Sequence, residues 1–116
     1  MKIYDTSVLI DYLRRGELVE GAISVITLIE VLRGVPQHKR KRVKELLERI
    51  YEVIGIDNDV IMKYCELYTS LKHMGQLIPD ADLLIASTSI SRNYVLVTKD
   101  KDFERLRSLG LKLELH

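Results

Sequence analysis

With 116 residues, 47% of them hydrophobic, the chain has apolar material for one core and too little for two, so a single domain over residues 1–116 is expected. Its 18 lysines and arginines against 17 acids leave a formal charge of +1, so net charge gives no argument for nucleic acid and any basic footprint must be local. Cys65 is the only cysteine, which excludes an intramolecular disulfide and a cysteine metal cluster and fits a reducing cytosol. No stretch approaches the roughly 18 to 20 apolar residues of a membrane span, and Asp5 and Asp11 interrupt the start where a leader's apolar segment would lie. A soluble, cytoplasmic chain is the expectation.

Lys2 to Tyr4 reads as a short buried strand, ending at Asp5-Thr6-Ser7, residues able to cap a helix carried by Val8, Leu9, Tyr12 and Leu13 and stopped at Gly16. Ala22 to Val25 is a second extended piece. Thr27-x-x-Glu30 has the form of a capping box for a helix ending before Gly34-Val35-Pro36. From Lys39 to Ile50, Val43, Leu46, Leu47 and Ile50 recur at helical spacing, and Tyr51 to Ile56 is again strand-like. Asp57 or Asn58 caps the next helix, whose stripe Ile61, Tyr64, Cys65, Tyr68 and Leu71 is expected to face inward until Gly75. Pro79 and Asp80 open a helix bearing Leu83, Leu84, Ala86 and Ile90 and stopping near Asn93. A strand Tyr94 to Thr98, a short helix from Asp102 to Leu109 and a last strand Lys112 to Leu115 complete the chain. Such alternation predicts an α/β fold with a mainly parallel central sheet flanked by helices on both faces.

Four acids stand beside apolar segments: Asp5 after the first strand, Glu30 within Val-Ile-Thr-Leu-Ile-Glu-Val-Leu, Asp82 before Leu-Leu-Ile-Ala, and Asp100 after Val-Leu-Val-Thr. Singly, each has a structural explanation, as a cap or, for Glu30, an ion pair with Arg33. Sites in open parallel sheets form outside the carboxyl ends of the strands, where Asp5 and Asp100 fall, and Glu30 and Asp82 can reach the same edge from their helices. If the four meet, their mutual repulsion calls for a cation or a proton. Donors that are all oxygen select hard ions such as Mg2+ or Mn2+, and phosphodiester hydrolysis is the chemistry such a site performs.

Read as a set, Asp5-Thr6-Ser7-Val8-Leu9-Ile10, Thr27 to Gly34, Asp80-Ala81-Asp82-Leu83-Leu84-Ile85-Ala86 and Val97-Thr98-Lys99-Asp100-Lys101-Asp102-Phe103 resemble the PIN domain, and more closely the VapC-type toxins of toxin–antitoxin pairs. The resemblance spans nearly the whole chain. It implies a Mg2+- or Mn2+-dependent endoribonuclease acting on RNA, with Asp5, Glu30, Asp82 and Asp100 as its acidic quartet and Thr6 or Ser7 and Thr98 as polar supports. It also implies a homodimer and a VapB-like antitoxin whose helix or extended tail covers the acidic groove. Asp102 stands as the alternative to Asp100, because the family often has Asn at the latter position. Asp80 lies two residues from Asp82, about 200° around a helix, and is expected to be the cap.

Outside the quartet, His38 to Arg42 with Lys44 is the densest basic patch, and Arg14, Arg15 and Arg33 are further candidate phosphate contacts. Tyr64, Cys65 and Tyr68 are expected in the core. Two other functions compete with the nuclease: a non-catalytic PIN-like module that binds RNA or protein, and a phospho-accepting signalling domain. The second is disfavoured because no acidic pair ends the first strand and Lys99 is followed by Asp.

Overall fold

The computed structural model describes residues 1–116. Strand β1 (Lys2–Tyr4) leads into α1 (Thr6–Arg14), β2 (Gly21–Ser24) into α2 (Val25–Arg33) and α3 (Gln37–Ile50), and β3 (Tyr51–Ile54) into α4 (Asn58–His73) and α5 (Asp80–Arg92). Strand β4 (Val95–Thr98), a 3-10 helix (Lys101–Leu109) and β5 (Lys112–Leu115) follow. All five strands are parallel, in the order β3-β2-β1-β4-β5. The chain therefore builds outward from β1 in one direction and then returns to its other side with β4, which places a topological switch point between β1 and β4.

Alternation along the strands assigns the two faces. Ile3, Ala22, Ile54 and Leu96 point into one core with Leu67, Leu71, Leu83, Ile85, Phe103 and Leu106, so α4, α5 and the 3-10 helix cover that face. Their neighbours Tyr4, Ile23, Tyr51 and Val97 point into the other, with Val8, Leu9, Leu28, Val31 and Leu47 of α1, α2 and α3. A sheet buried on both sides needs near-continuous apolar strands, which the short runs at residues 2–4, 21–24 and 95–98 supply.

Three local expectations are corrected. Helix α2 begins at Val25 with Ser24 as its cap, donating nothing but accepting from the Ile26 N–H at 3.0 Å; Thr27 is therefore already helical and no capping box with Glu30 forms. Asp80 does not cap α5, because Pro79 holds the cap position and Asp80 instead accepts a hydrogen bond from the Tyr64 hydroxyl at 2.6 Å. The inward stripe of α4 is Val60, Leu67 and Leu71: of the expected set Leu71 is buried and Tyr64 is half-buried against the same core, whereas Ile61, Cys65 and Tyr68 are exposed. Both stripes have helical spacing, and the buried one is wholly aliphatic. Asp57 does cap α4, accepting from the Val60 N–H at 3.0 Å, and Asn93 ends α5 in the left-handed conformation that Asn tolerates.

Candidate active site at the switch point

Asp5 is the first residue past β1 and the N-cap of α1, so strand end and helix start together fix its carboxylate. Its Oδ1 accepts from the Thr6 N–H at 2.7 Å and its Oδ2 from the Thr98 hydroxyl at 2.6 Å. Thr98, the fully buried last residue of β4, also accepts from the Asp100 N–H at 3.0 Å, so one hydroxyl ties the ends of the two strands flanking the switch point. Burial raises the Asp5 pKa; the bonds from Thr98 and Thr6 oppose this, and the charges of Glu30 and Asp100 add to it.

Glu30 lies one turn before the end of α2. Its Oε1 accepts from the Thr6 hydroxyl at 2.7 Å, while Oε2 stands 3.8 Å from Arg33. The hydroxyl of Thr27, wholly buried, lies 3.1 Å from that of Thr6 and locks it in place. Thr27, expected as a cap, instead faces Thr6 because α2 starts two residues earlier. Ser7, the alternative to Thr6, is exposed.

Asp82 occupies the first turn of α5, half-buried. Its carboxyl is pushed up to about 6, first by burial and then by the charges of Asp5, Asp100, Glu30 and Asp102, in that order, with no donor offsetting them. The acids that act on it come from the end of β1, from α2 and from beyond the end of β4, so their charges are felt at the same edge of the sheet. Asp100 caps the 3-10 helix by accepting from the Asp102 N–H at 2.9 Å and acts on both Asp5 and Asp82. Asp102 is turned toward Arg105, 3.6 Å away, and is the weakest of the charges on Asp82.

The donor set is carboxylate oxygen throughout, and each bonded oxygen of Asp5 keeps a lone pair for another partner. As they stand, no three of these side chains are close enough to grip a single ion. In chemistry the set fits a hard divalent cation, whose charge would remove the penalty written into the Asp82 pKa.

Beside the acids, α1 and α2 enclose a cleft of about 350 Å³ lined by Ile10, Leu13, Arg14, Glu30, Val31 and Gly34. Glu30 thus joins the acidic edge to an apolar groove.

A parallel α/β sheet with acids gathered at its switch point defines a class of protein that works at the carboxyl edge of its sheet. The chain belongs to the PIN-domain family, whose model matches residues 2–109. It is 45% identical over 115 residues to Ribonuclease VapC1 of Methanocaldococcus jannaschii, an alignment covering 96% of this chain and 85% of that protein. Among solved structures, VapBC-1 from nontypeable Haemophilus influenzae superposes with a TM-score of 0.82 at 25% identity, covering 98% of this chain and 96% of that one. VapBC2 from Rickettsia felis, solved bound to a DNA fragment from its promoter, gives a TM-score of 0.81 at 26% identity over 98% of this chain and 97% of that one.

Proposed function

We propose that this protein is a metal-dependent endoribonuclease, the toxin of a VapBC-type toxin–antitoxin pair, with residues 1–116 as one working domain. What supports the reading is the hydrogen-bonded arrangement at the carboxyl edge of the sheet, where Thr98 bonds Asp5 and the Asp100 N–H and Thr6 bonds Glu30, with Asp82 close enough to feel their charges. The similarity to Ribonuclease VapC1 supports RNA as the substrate, and the similarity to VapBC structures supports an antitoxin partner.

Asp5, Glu30, Asp82 and Asp100 are the ligands for Mg2+ or Mn2+, with Asp102 in reserve. When bound, the cation supplies Lewis-acid activation of the phosphodiester and of water. The protein's own part is positioning. Thr98 and the Thr6 N–H hold the Asp5 carboxylate in a fixed plane, and Thr6, backed by Thr27, aims Glu30. The cleft between α1 and α2 is where an antitoxin segment would run to cover the acids. The exposed stripe Ile61, Cys65 and Tyr68 on α4 is available to a homodimer. No helix is long and apolar enough to cross a membrane, and the cytoplasm is the proposed place of action.

The test is cleavage of single-stranded RNA by purified protein with Mg2+, with Mn2+ and with EDTA, beside the Asp5→Asn variant. Metal-dependent cleavage lost in the variant supports the reading. A folded protein that binds RNA and never cuts it, whatever the metal, would be a binding module instead.

A further inference from the structure

Helix α3 starts in a way that its own stability does not explain. Its N-cap, Pro36, makes no side-chain cap bond, its first turn has no acid, and Lys39 and Arg40 stand in that turn, where the helix dipole disfavours cations, with Lys41 and Arg42 directly after it. Arg40 is accounted for: its Nε–H is shared between the carbonyl oxygens of Leu32 at 3.1 Å and Val35 at 2.9 Å, which pins the start of α3 to the end of α2. Lys39, Lys41 and Arg42 have no carboxylate within ion-pair distance, although most cations outside α3 do. A local rule broken without structural compensation marks a functional surface.

Its place decides which function. The Arg40 bonds hold α3 against the last turn of α2, and Glu30 lies one turn earlier on that helix, with Arg33 between, three-quarters exposed. Lys39 and Arg42, three residues apart, share one flank of α3. Arg14 lines the same cleft as Glu30. An acidic site repels a polyanion, so it needs cations close by to draw the strand in.

We propose that Arg14, Arg33, Lys39 and Arg42 form a phosphate track that holds the backbone of single-stranded RNA on one side of the scissile bond. This rests on the nuclease reading and deepens it: the track supplies affinity without reading bases.

The experiment compares the wild-type protein with Lys39→Gln/Arg42→Gln. Binding of a fluorescein-labelled single-stranded RNA is followed by anisotropy in EDTA across a salt series, and cleavage kinetics are followed with metal. Losing two phosphate contacts should shrink the slope of log affinity against log salt by about 1.4, so the wild type's advantage narrows about sevenfold between about 50 and about 200 mM salt. KM should rise with kcat unchanged. The melting temperature should stay level or rise, since the Lys39 charge leaves the wrong end of a helix dipole, an outcome that a structural role for these residues would reverse. An unchanged salt slope and KM overturn the track. So does an unchanged response to RNA together with lost binding of an acidic protein, which would assign the patch to a protein contact. RNA binding that depends on the two cations, without cleavage by any divalent metal, would sustain the track and sink the nuclease reading.

Discussion

Replacing Asp82 by asparagine should stabilise the metal-free protein at neutral pH. The Asp82 carboxyl is raised from its ordinary value of 3.8 to about 6, by burial first and by neighbouring acids second. A folded state that holds a proton more tightly than the unfolded one is most stable with that proton on. Stability therefore falls as pH rises from about 4 to about 6 and stays lowered above. A two-unit shift is worth about 3 kcal/mol in full. Because the side chain is half-exposed, screening reduces this to roughly 1 to 1.5 kcal/mol. The helix dipole favours the charge in the first turn by a few tenths of a kcal/mol, too little to reverse the sign. Removing the charge should raise the melting temperature by roughly 3 to 8 °C at about pH 8. Thermal melts in EDTA from about pH 5 to about pH 8 read the difference between wild type and variant, which isolates Asp82 from groups such as Asp57 and Glu114 whose lowered pKa values act in the opposite direction. Saturating Mg2+ should then invert the order, since a ligand at 100 times its dissociation constant stabilises only the protein that binds it, by about 2.7 kcal/mol. An asparagine variant less stable than wild type at about pH 8 in EDTA, or a difference that ignores pH, would refute the crowding argument.

Thr98→Val keeps the side-chain shape but removes the hydroxyl that bonds Asp5, so RNA cleavage should fall about 10- to 100-fold; undiminished kcat/KM in a folded variant would take Thr98 out of the site. Leu67→Ala, at a position 2% exposed, should cost about 2 to 5 kcal/mol in urea denaturation, whereas Ile61→Ala, 46% exposed, should cost under about 1 kcal/mol. Equal losses would contradict the orientation of α4. Gly21→Ala would place a Cβ 2.5 Å from Tyr4 Cε2 and 2.8 Å from the Lys2 carbonyl oxygen, and since the backbone oxygen cannot give way, a loss of about 1 to 3 kcal/mol in the denaturation midpoint is expected. A midpoint equal to wild type would mean that β1 and β2 separate more readily than their packing implies.

Most of the architecture was legible because the strands are short apolar runs closed by polar residues, and parallel pairing buries such runs on both faces. Asp5 and Asp100 were legible for the same reason, since each follows a strand end. The errors fall where two periodic patterns compete. On α4, Ile61, Cys65 and Tyr68 repeat as regularly as Val60, Leu67 and Leu71, and only packing against the sheet selects the second set. Capping was ambiguous at α2, where Ser24 and Thr27 both have a hydroxyl, and the choice decides whether Glu30 sits in the first turn or near the end. Thr27 went unnoticed as a support of Thr6 because a contact 21 residues away leaves no local signal. The role of Asp80 was likewise set by a tyrosine 16 residues earlier, Tyr64.

Asp5, Glu30, Asp82 and Asp100 are proposed to form one divalent-metal site that cuts RNA. The direct measurement is the rate of RNA cleavage at increasing Mn2+ for wild type and for Asp5→Asn, with circular dichroism confirming that both are folded. For wild type the rate should rise and saturate with Mn2+ and vanish in EDTA, and in the variant it should be lost. Cleavage that persists in EDTA, or an Asp5→Asn protein with the wild-type metal response, would contradict it.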